Sequence, residues 1–241
     1  MKTILSFNND YIRELAKLHN RKYRDRKRCF LLEGYHLVKE AKAANLLKQV
    51  LITDEKDYID GVENILVSEA VIKKLAFTVT PQPIIGVADY LPDYELSGNR
   101  ILLLDDLQDP GNVGTIARSS LGFGIDMLVF GLNSVDIYND KFIRATQGAL
   151  FKTKIIKMDL TKAIKQIKAK GIKIIGTALY GKPLKEVERL EKYALILGNE
   201  GRGINPGILM QTDLNVTIEV RPELESLNVA IAASIIMYHF D

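Results

Sequence analysis

Two apolar patterns divide the chain. In the second half, Ile101–Leu104 and Met127–Phe130 are uninterrupted apolar runs, and Ile172–Ile175, Ala194–Leu197 and Val216–Ile218 read as later strands. Unbroken runs of this length suit strands buried on both faces of a parallel sheet. Helical spacing fills most of the gaps, and Leu227–Phe240 closes the chain as an apolar helix. This alternation predicts a mostly parallel sheet with helices on both sides and a ligand crevice at the carboxyl ends of its strands. In the first half the segments are shorter. Asp10 caps a predicted helix running to His19, with Ile12, Leu15, Ala16 and Leu18 in helical period. Phe30–Leu32, Val50–Ile52, Ile65–Val67 and Ile84–Ala88 are short apolar runs, Tyr35–Ala44 has helical spacing, and Ser68 caps a helix with Val71, Ile72 and Leu75 on one face. Leu91–Asn99 (LPDYELSGN) is turn-rich and aperiodic. The expected organisation is a smaller α/β domain over residues 1–92, a linker at 93–99 and a larger α/β domain over residues 100–241.

Composition narrows the classes. Apolar residues make up 47% of the chain, enough for a real core. No stretch reaches the ~18–20 apolar residues of a membrane helix. The segment MKTILSFNND turns polar too early to read as a signal peptide. Cys29 is the single cysteine, so an internal disulfide is excluded, and no Cys/His cluster has metal spacing; no metal is expected, and the cytoplasm is the simplest compartment. The net charge of +3 is mild, but its distribution is uneven. Within Arg21–Arg28 (RKYRDRKR), only Tyr23 and Asp25 are neither Lys nor Arg. Such a cluster suits RNA phosphates, through Arg21, Lys22, Arg24, Arg26, Lys27 and Arg28, with Tyr23 able to stack on a base. The plainer reading is a solvated turn between a helix and a strand.

Three segments at strand ends carry candidate chemistry. In Asp109–Arg118 (DPGNVGTIAR), Asp109, Pro110 and Gly111 form a turn, Asn112 reads as a helix N-cap and Arg118 lies nearly two turns on. A helix N-terminus there offers an anion site. In Leu197–Gly203 (LGNEGRG), three glycines follow a buried strand, with Glu200 among them. Their order is neither that of a dinucleotide fingerprint nor that of a P-loop, which disfavours dehydrogenases and nucleotide hydrolases. In Ser226–Ser234 (SLNVAIAAS), Ser226 reads as the N-cap of an alanine-rich helix with Asn228 in its first turn.

Together, in this order, the segments resemble the three signature motifs of the SpoU (TrmH) family of RNA ribose methyltransferases, within the SPOUT class. The first ninety-odd residues resemble that family's substrate-binding domain through Phe30–Gly34 (FLLEG), Leu37–Ala41 (LVKEA) and Thr80–Pro83 (TPQP). The resemblance implies a parallel-sheet C-terminal domain tied in a trefoil knot, and a homodimer packed through the knotted region. It also implies methyl transfer from S-adenosylmethionine to a ribose 2′-hydroxyl of ribosomal or transfer RNA. By the same resemblance, the catalytic set is Asn112, Arg118, Glu200, Ser226 and Asn228. The cofactor positions are Thr177, Ala178, Leu197, Gly198, Gly201, Ile218 and Leu227. Relatives often place a proline soon after the isoleucine, where this chain has Glu219 and Val220. Two alternatives stand beside this reading: an RNA-binding or ribosome-assembly factor without turnover, and a SPOUT enzyme that modifies a base. Enzymes of the second kind lack the Asn112/Arg118 helix and the Ser226/Asn228 pairing.

Overall fold

The computed structural model describes residues 1–241, which divide into two units: Met1–Pro92 with Tyr138–Phe151, and Asp93–Ile137 with Lys152–Asp241.

The first unit is built on a five-stranded mixed sheet. Its elements are β1 (Lys2–Ile4), α1 (Asp10–Ala16), α2 (Arg21–Lys27), β2 (Cys29–Glu33), α3 (Tyr35–Ala43), β3 (Leu47–Ile52), β4 (Glu63–Val67), α4 (Glu69–Leu75) and β5 (Ile84–Asp89). The strand order is β1-β4-β3-β5-β2. β1, β4 and β3 run parallel, whereas β5 is antiparallel to both β3 and β2. Ile12, Leu15, Leu18, Leu51, Ile65, Val71, Ile72 and Leu75 meet in one core cluster, so the predicted apolar faces are those that pack. Two local expectations are corrected. The cap of α1 is Asn9, whose side chain accepts the Tyr11 N–H, and not Asp10, which begins the helix. The basic segment is a helix and not a turn: Asn20 caps it through the Lys22 N–H, and Arg28 ends it in the left-handed region at φ 52°. Lys and Arg are good helix formers, so a run of them continues a turn once it is capped.

The second unit carries β6 (Arg100–Asp105), α5 (Pro110–Gly122) and β7 (Met127–Phe130). The chain then contributes α6 (Asp140–Thr146) to the first unit. It resumes with β8 (Lys154–Lys157), α7 (Leu160–Ala169), β9 (Lys173–Pro183), β10 (Tyr193–Gly198), α8 (Pro206–Leu209), β11 (Leu214–Thr217) and α9 (Val229–Phe240). The sheet order is β11-β9-β10-β6-β7-β8, and every pairing is parallel. The apolar runs are buried as their pattern requires: Ile101–Leu104, Met127–Phe130 and Ala194–Leu197 are all 0% exposed. Alternation sends Ile101, Leu103, Met127, Val129, Ala194 and Ile196 into one cluster with Leu160, Ala163, Ile164 and Ile167 of α7. α5 packs on α9, and α9 on β10. No helix is long and apolar enough to cross a membrane.

Tyr193 opens β10 fully buried, with its hydroxyl unpartnered and its ring 4.8 Å from that of Phe240. Burial pushes its phenol up to about 12. A buried hydroxyl without a partner carries its desolvation cost unrepaid, on the order of 1 kcal/mol. Tyr193→Phe should therefore leave the unfolding free energy unchanged or raise it by up to about 1 kcal/mol in denaturant titration; a loss of that size would mean that the hydroxyl is bonded in solution.

Candidate active site

Two loops leave the adjacent ends of β6 and β10. The connection from β6 runs through α5 to β7 on one side, while the other neighbour of β10 is β9, so the crevice lies where the strand order reverses. β10 stays paired with β6 as far as Gly198↔Asp105, but its pairing with β9 stops at Ile196↔Gly176. Beyond that point β9 pairs with β11 after a register shift, at Val216↔Lys182 and Thr217↔Pro183. The divergence leaves Thr177 and Ala178 on one side of an opening and Leu197 and Gly198 on the other. The Thr177 hydroxyl donates to the Ile196 carbonyl across it, at 3.0 Å. The Thr217 hydroxyl donates to the Leu179 carbonyl, at 3.2 Å, which sets Ile218 at the same end of the sheet. Ile218 also lines a cavity of about 370 Å³ with Leu184, Glu219, Ile235, Tyr238 and His239.

The loop after β10 is closed on itself. Asn199 and Gly203 exchange backbone hydrogen bonds of 3.0 and 2.8 Å. The Asn199 side chain accepts the N–H groups of Gly201 and Arg202 and donates to the Asp106 carbonyl, at 2.9 Å. Gly198 has no room for a side chain: a Cβ there would overlap the backbone of Gly203 and Ile204, with the Gly203 oxygen 2.7 Å away. The expected close approach at Gly198 is thus made by the loop's own backbone. Asp105, buried at the end of β6, accepts the Asn205 N–H at 2.6 Å. Burial pushes its carboxyl up, against the pull of that hydrogen bond.

Glu200, Asn112 and Asn228 form one hydrogen-bonded chain. The Asn112 Nδ2 donates to Glu200 Oε1 at 3.3 Å, and the Asn228 Nδ2 donates to Asn112 Oδ1 at 2.9 Å. Asn228 Oδ1 in turn accepts the N–H groups of Ala230 and Ile231 at the start of α9. Both ends fix the polarity. Free N–H groups at the helix end demand an oxygen, and an ionised carboxylate accepts only, so each amide presents its NH₂ towards Glu200. The helix end and the carboxylate are therefore coupled through two side chains that neither can flip alone.

Two predicted caps are corrected here. Asp109 caps α5 by accepting the Asn112 N–H at 2.7 Å, which moves Asn112 from the cap into the first turn. Asn228, not Ser226, caps α9. Asn228→Ala should cost about 1 kcal/mol of unfolding free energy through the lost cap; an unchanged denaturant midpoint would show that the cap is replaced.

Not every expected residue joins the cluster. Ser226 is exposed ahead of α9. Leu227, half-buried, directly precedes the Asn228 cap. Gly201 is exposed within the loop, and a Cβ there would meet only Asn199 Oδ1, at 3.7 Å. Arg118 is six residues beyond Asn112, about 240° round at about 100° per residue, on the exposed face of α5. Its neighbour Ser119 does face α9, with its hydroxyl 2.9 Å from that of Ser234. Of the basic segment, Arg24 is corrected outright. It is 6% exposed, and its guanidinium donates to the carbonyls of Leu18 and His19, so it braces the fold and offers nothing to a phosphate. Arg21, Lys22, Arg26, Lys27 and Arg28 stay exposed. Sequence reasoning missed Asn199 and Asp109. An Asx turn at Asn199 and the Asp-Pro pair opening α5 were the available signals.

No group of three or more His, Cys, Asp and Glu side chains is placed to hold a metal ion. The backbone groups released where β9 and β10 part, with Leu197 and Ile218 at the same strand ends, fit an adenosine-bearing cofactor read by main chain and apolar side chains.

Comparison with known proteins shows the family. Residues 99–238 match the SpoU rRNA Methylase family, and residues 9–86 match the MRM3-like substrate binding domain. The chain is 39% identical over 246 aligned positions, covering 99% of each chain, to the 23S rRNA (guanosine(2553)-2′-O)-methyltransferase RlmP of Bacillus subtilis (strain 168). It is similar over 98% of each chain to a TrmH-family protein of Porphyromonas gingivalis, with a TM-score of 0.89 at 33% identity. An AdoMet-bound rRNA methyltransferase of Sinorhizobium meliloti superposes with a TM-score of 0.89 at 25% identity, covering 99% of this chain and 97% of that one.

Proposed function

The chain belongs to the SpoU rRNA methylase family, and from that premise we propose that its Glu200–Asn112–Asn228 chain is where a ribose 2′-hydroxyl of 23S ribosomal RNA is methylated. The protein is an S-adenosylmethionine-dependent RNA 2′-O-methyltransferase. The observation that carries the site assignment is the single hydrogen-bonded chain linking the first, second and third sequence motifs at the carboxyl ends of β6 and β10.

When bound, S-adenosylmethionine supplies an electrophilic methyl carbon for in-line displacement by the ribose oxygen. Thr177, Ala178, Leu197, Gly198, Gly201, Ile218 and Leu227 would hold it. The chain's own task is alignment, worth ~7–11 kcal/mol where reacting atoms are held ~3–3.5 Å apart, and removal of one proton, which contributes about 10²–10⁴-fold. Asn112 and Asn228 hold Glu200 in a fixed orientation. Among the candidate groups, Glu200 is the proton acceptor. Amides are not basic, and a guanidinium with a pKa above ~12 does not give up its proton. Arg118 takes a phosphate of the substrate, and Ser226 orients the ribose.

We further propose that the second unit is knotted and forms a homodimer. Ile231, Ile235 and Tyr238 of α9 are 54%, 38% and 70% exposed, and Leu121 of α5 is 42% exposed, which leaves apolar surface for a second copy. A ribosomal RNA substrate supports a cytoplasmic location.

The test is methyl transfer in vitro from labelled S-adenosylmethionine to a 23S rRNA transcript, followed by alkaline hydrolysis. A 2′-O-methyl group blocks cleavage, so label should emerge in alkali-resistant dinucleotides. Label in mononucleotides would mean base methylation and contradict the assignment.

A further inference from the structure

We propose that the loop Ala76–Pro83 of the first unit is an RNA-docking element, whose Val79 side chain packs on a nucleobase held out of the RNA stack. This inference rests on the reading of the protein as an RNA methyltransferase and names the substrate feature that its first unit takes.

Val79 is 98% exposed. A lone exposed valine is ordinary on a slack loop, but this loop is built. At its start, the Glu33 carboxylate accepts the N–H groups of Phe77 at 2.7 Å and Thr78 at 3.1 Å, and also the Thr78 hydroxyl. At its end, Gln82 Oε1 accepts the Tyr35 N–H at 2.9 Å. Gly34, at φ 98°, lets Gln82 in: a Cβ there would sit 2.7 Å from Oε1. The Pro83 carbonyl accepts the Thr53 N–H at 3.3 Å, and Pro81 and Pro83 restrict the backbone between. One leg of the loop is thus held by the end of β2, the other by the start of α3 and by Thr53 after β3, and the apolar tip is presented to water on a fixed frame.

The surroundings say what would cover it. Phe77 packs on His19, with ring centroids 4.6 Å apart, and the His19 carbonyl accepts from Arg24 of α2 at 2.8 Å. The pinned loop therefore adjoins the basic helix, whose Lys22, Arg26 and Lys27 are exposed, and α4, which runs into the loop, adds exposed Lys73. An apolar tip on a loop whose base adjoins a basic helix matches an unstacked nucleotide with its flanking phosphates. It is far too small an apolar surface for a stable protein partner.

The experiment uses the full chain and two RNA probes: a hairpin with one bulged nucleotide in its stem, and the same stem fully paired. Affinity is measured by fluorescence anisotropy over a range of salt concentrations. Wild type should prefer the bulged hairpin. Val79→Ala should lose about fivefold on the bulged hairpin and nothing on the paired stem, at unchanged salt slope, and Val79→Phe should bind the bulge at least as tightly as wild type. Replacing Lys22, Arg26 and Lys27 by Gln should weaken both RNAs alike and flatten the slope by roughly 0.7–0.9 log units for each phosphate no longer neutralised. Val79→Ala within twofold of wild type on the bulged hairpin, or equally weakened on both probes, overturns the docking role. The same preparations are assayed for transfer to 23S rRNA. Absence of transfer by wild type would overturn the activity, while a bulge-specific loss in Val79→Ala would still support docking.

Discussion

Asn112→Asp should lower the single-turnover rate of methyl transfer by at least about a hundredfold while leaving the protein folded. The substitution changes one atom in outline but removes the donor that Asn112 offers to Glu200. Two carboxylates would then face each other at the distance of a hydrogen bond, and one must protonate or turn away. The first ties up Glu200 in a shared proton and the second misplaces it, and losses of ~10²-fold or more follow from a disabled or displaced catalytic group. Stability should change little, because the repulsion is offset at the helix end. Asp109 still caps α5, and a negative charge in the first turn of a helix is favourable by about 0.3–1 kcal/mol. A folded variant of nearly unchanged stability that is nearly inactive is a signature that a structural role for Asn112 does not produce. Single-turnover rates with labelled cofactor, beside thermal unfolding, read both. A rate within threefold of wild type would remove Asn112 from the site.

Gly198→Val should fail differently, by losing cofactor affinity more than tenfold and stability together. The new side chain collides with the Gly203 and Ile204 backbone, so the Asn199–Gly203 closure must open. Ile204 is buried in the α7-facing core, and overpacking of this kind costs about 1–3 kcal/mol. The released loop carries Glu200 away from Asn112 and disturbs the end of β10 beside the proposed cofactor opening. Gly122→Ala, at the far end of α5 from the site, is the control: its Cβ has open space and should change affinity by less than threefold. Calorimetric titration with S-adenosylmethionine and denaturant unfolding measure the two effects. Equal affinities for wild type and Gly198→Val would detach the loop from cofactor binding.

The parallel sheet was legible because its strands are unbroken apolar runs, a pattern that half-exposed strands do not make. The three motif segments were legible because turn and cap residues follow those runs directly. Their caps were misread where two candidates compete within four residues. In Asp109–Asn112, Pro110 at the first helical position decides for Asp109. In Ser226–Asn228, Val229 begins the helix, and Ser226 stands two residues too early. The lower half of β9, Thr177–Pro183, carries no apolar alternation, and only its shifted pairing with β11 makes it a strand. Burial of Arg24 depends on carbonyls exposed where α1 ends, five and six residues back, and no local pattern announces it. The assignment of Tyr138–Phe151 to the first unit is likewise a matter of residues distant in sequence. It rests on pairs such as Tyr90 and Tyr138, whose rings stack at 3.6 Å.

The most direct test maps ribose methylation across 23S rRNA from cells with and without the gene, complemented by wild type or by Asn112→Asp. One 2′-O-methyl group should disappear with the gene, return with wild type and stay absent with Asn112→Asp. A map that does not change when the gene is removed, or a methyl group restored in full by Asn112→Asp, would contradict the proposed function.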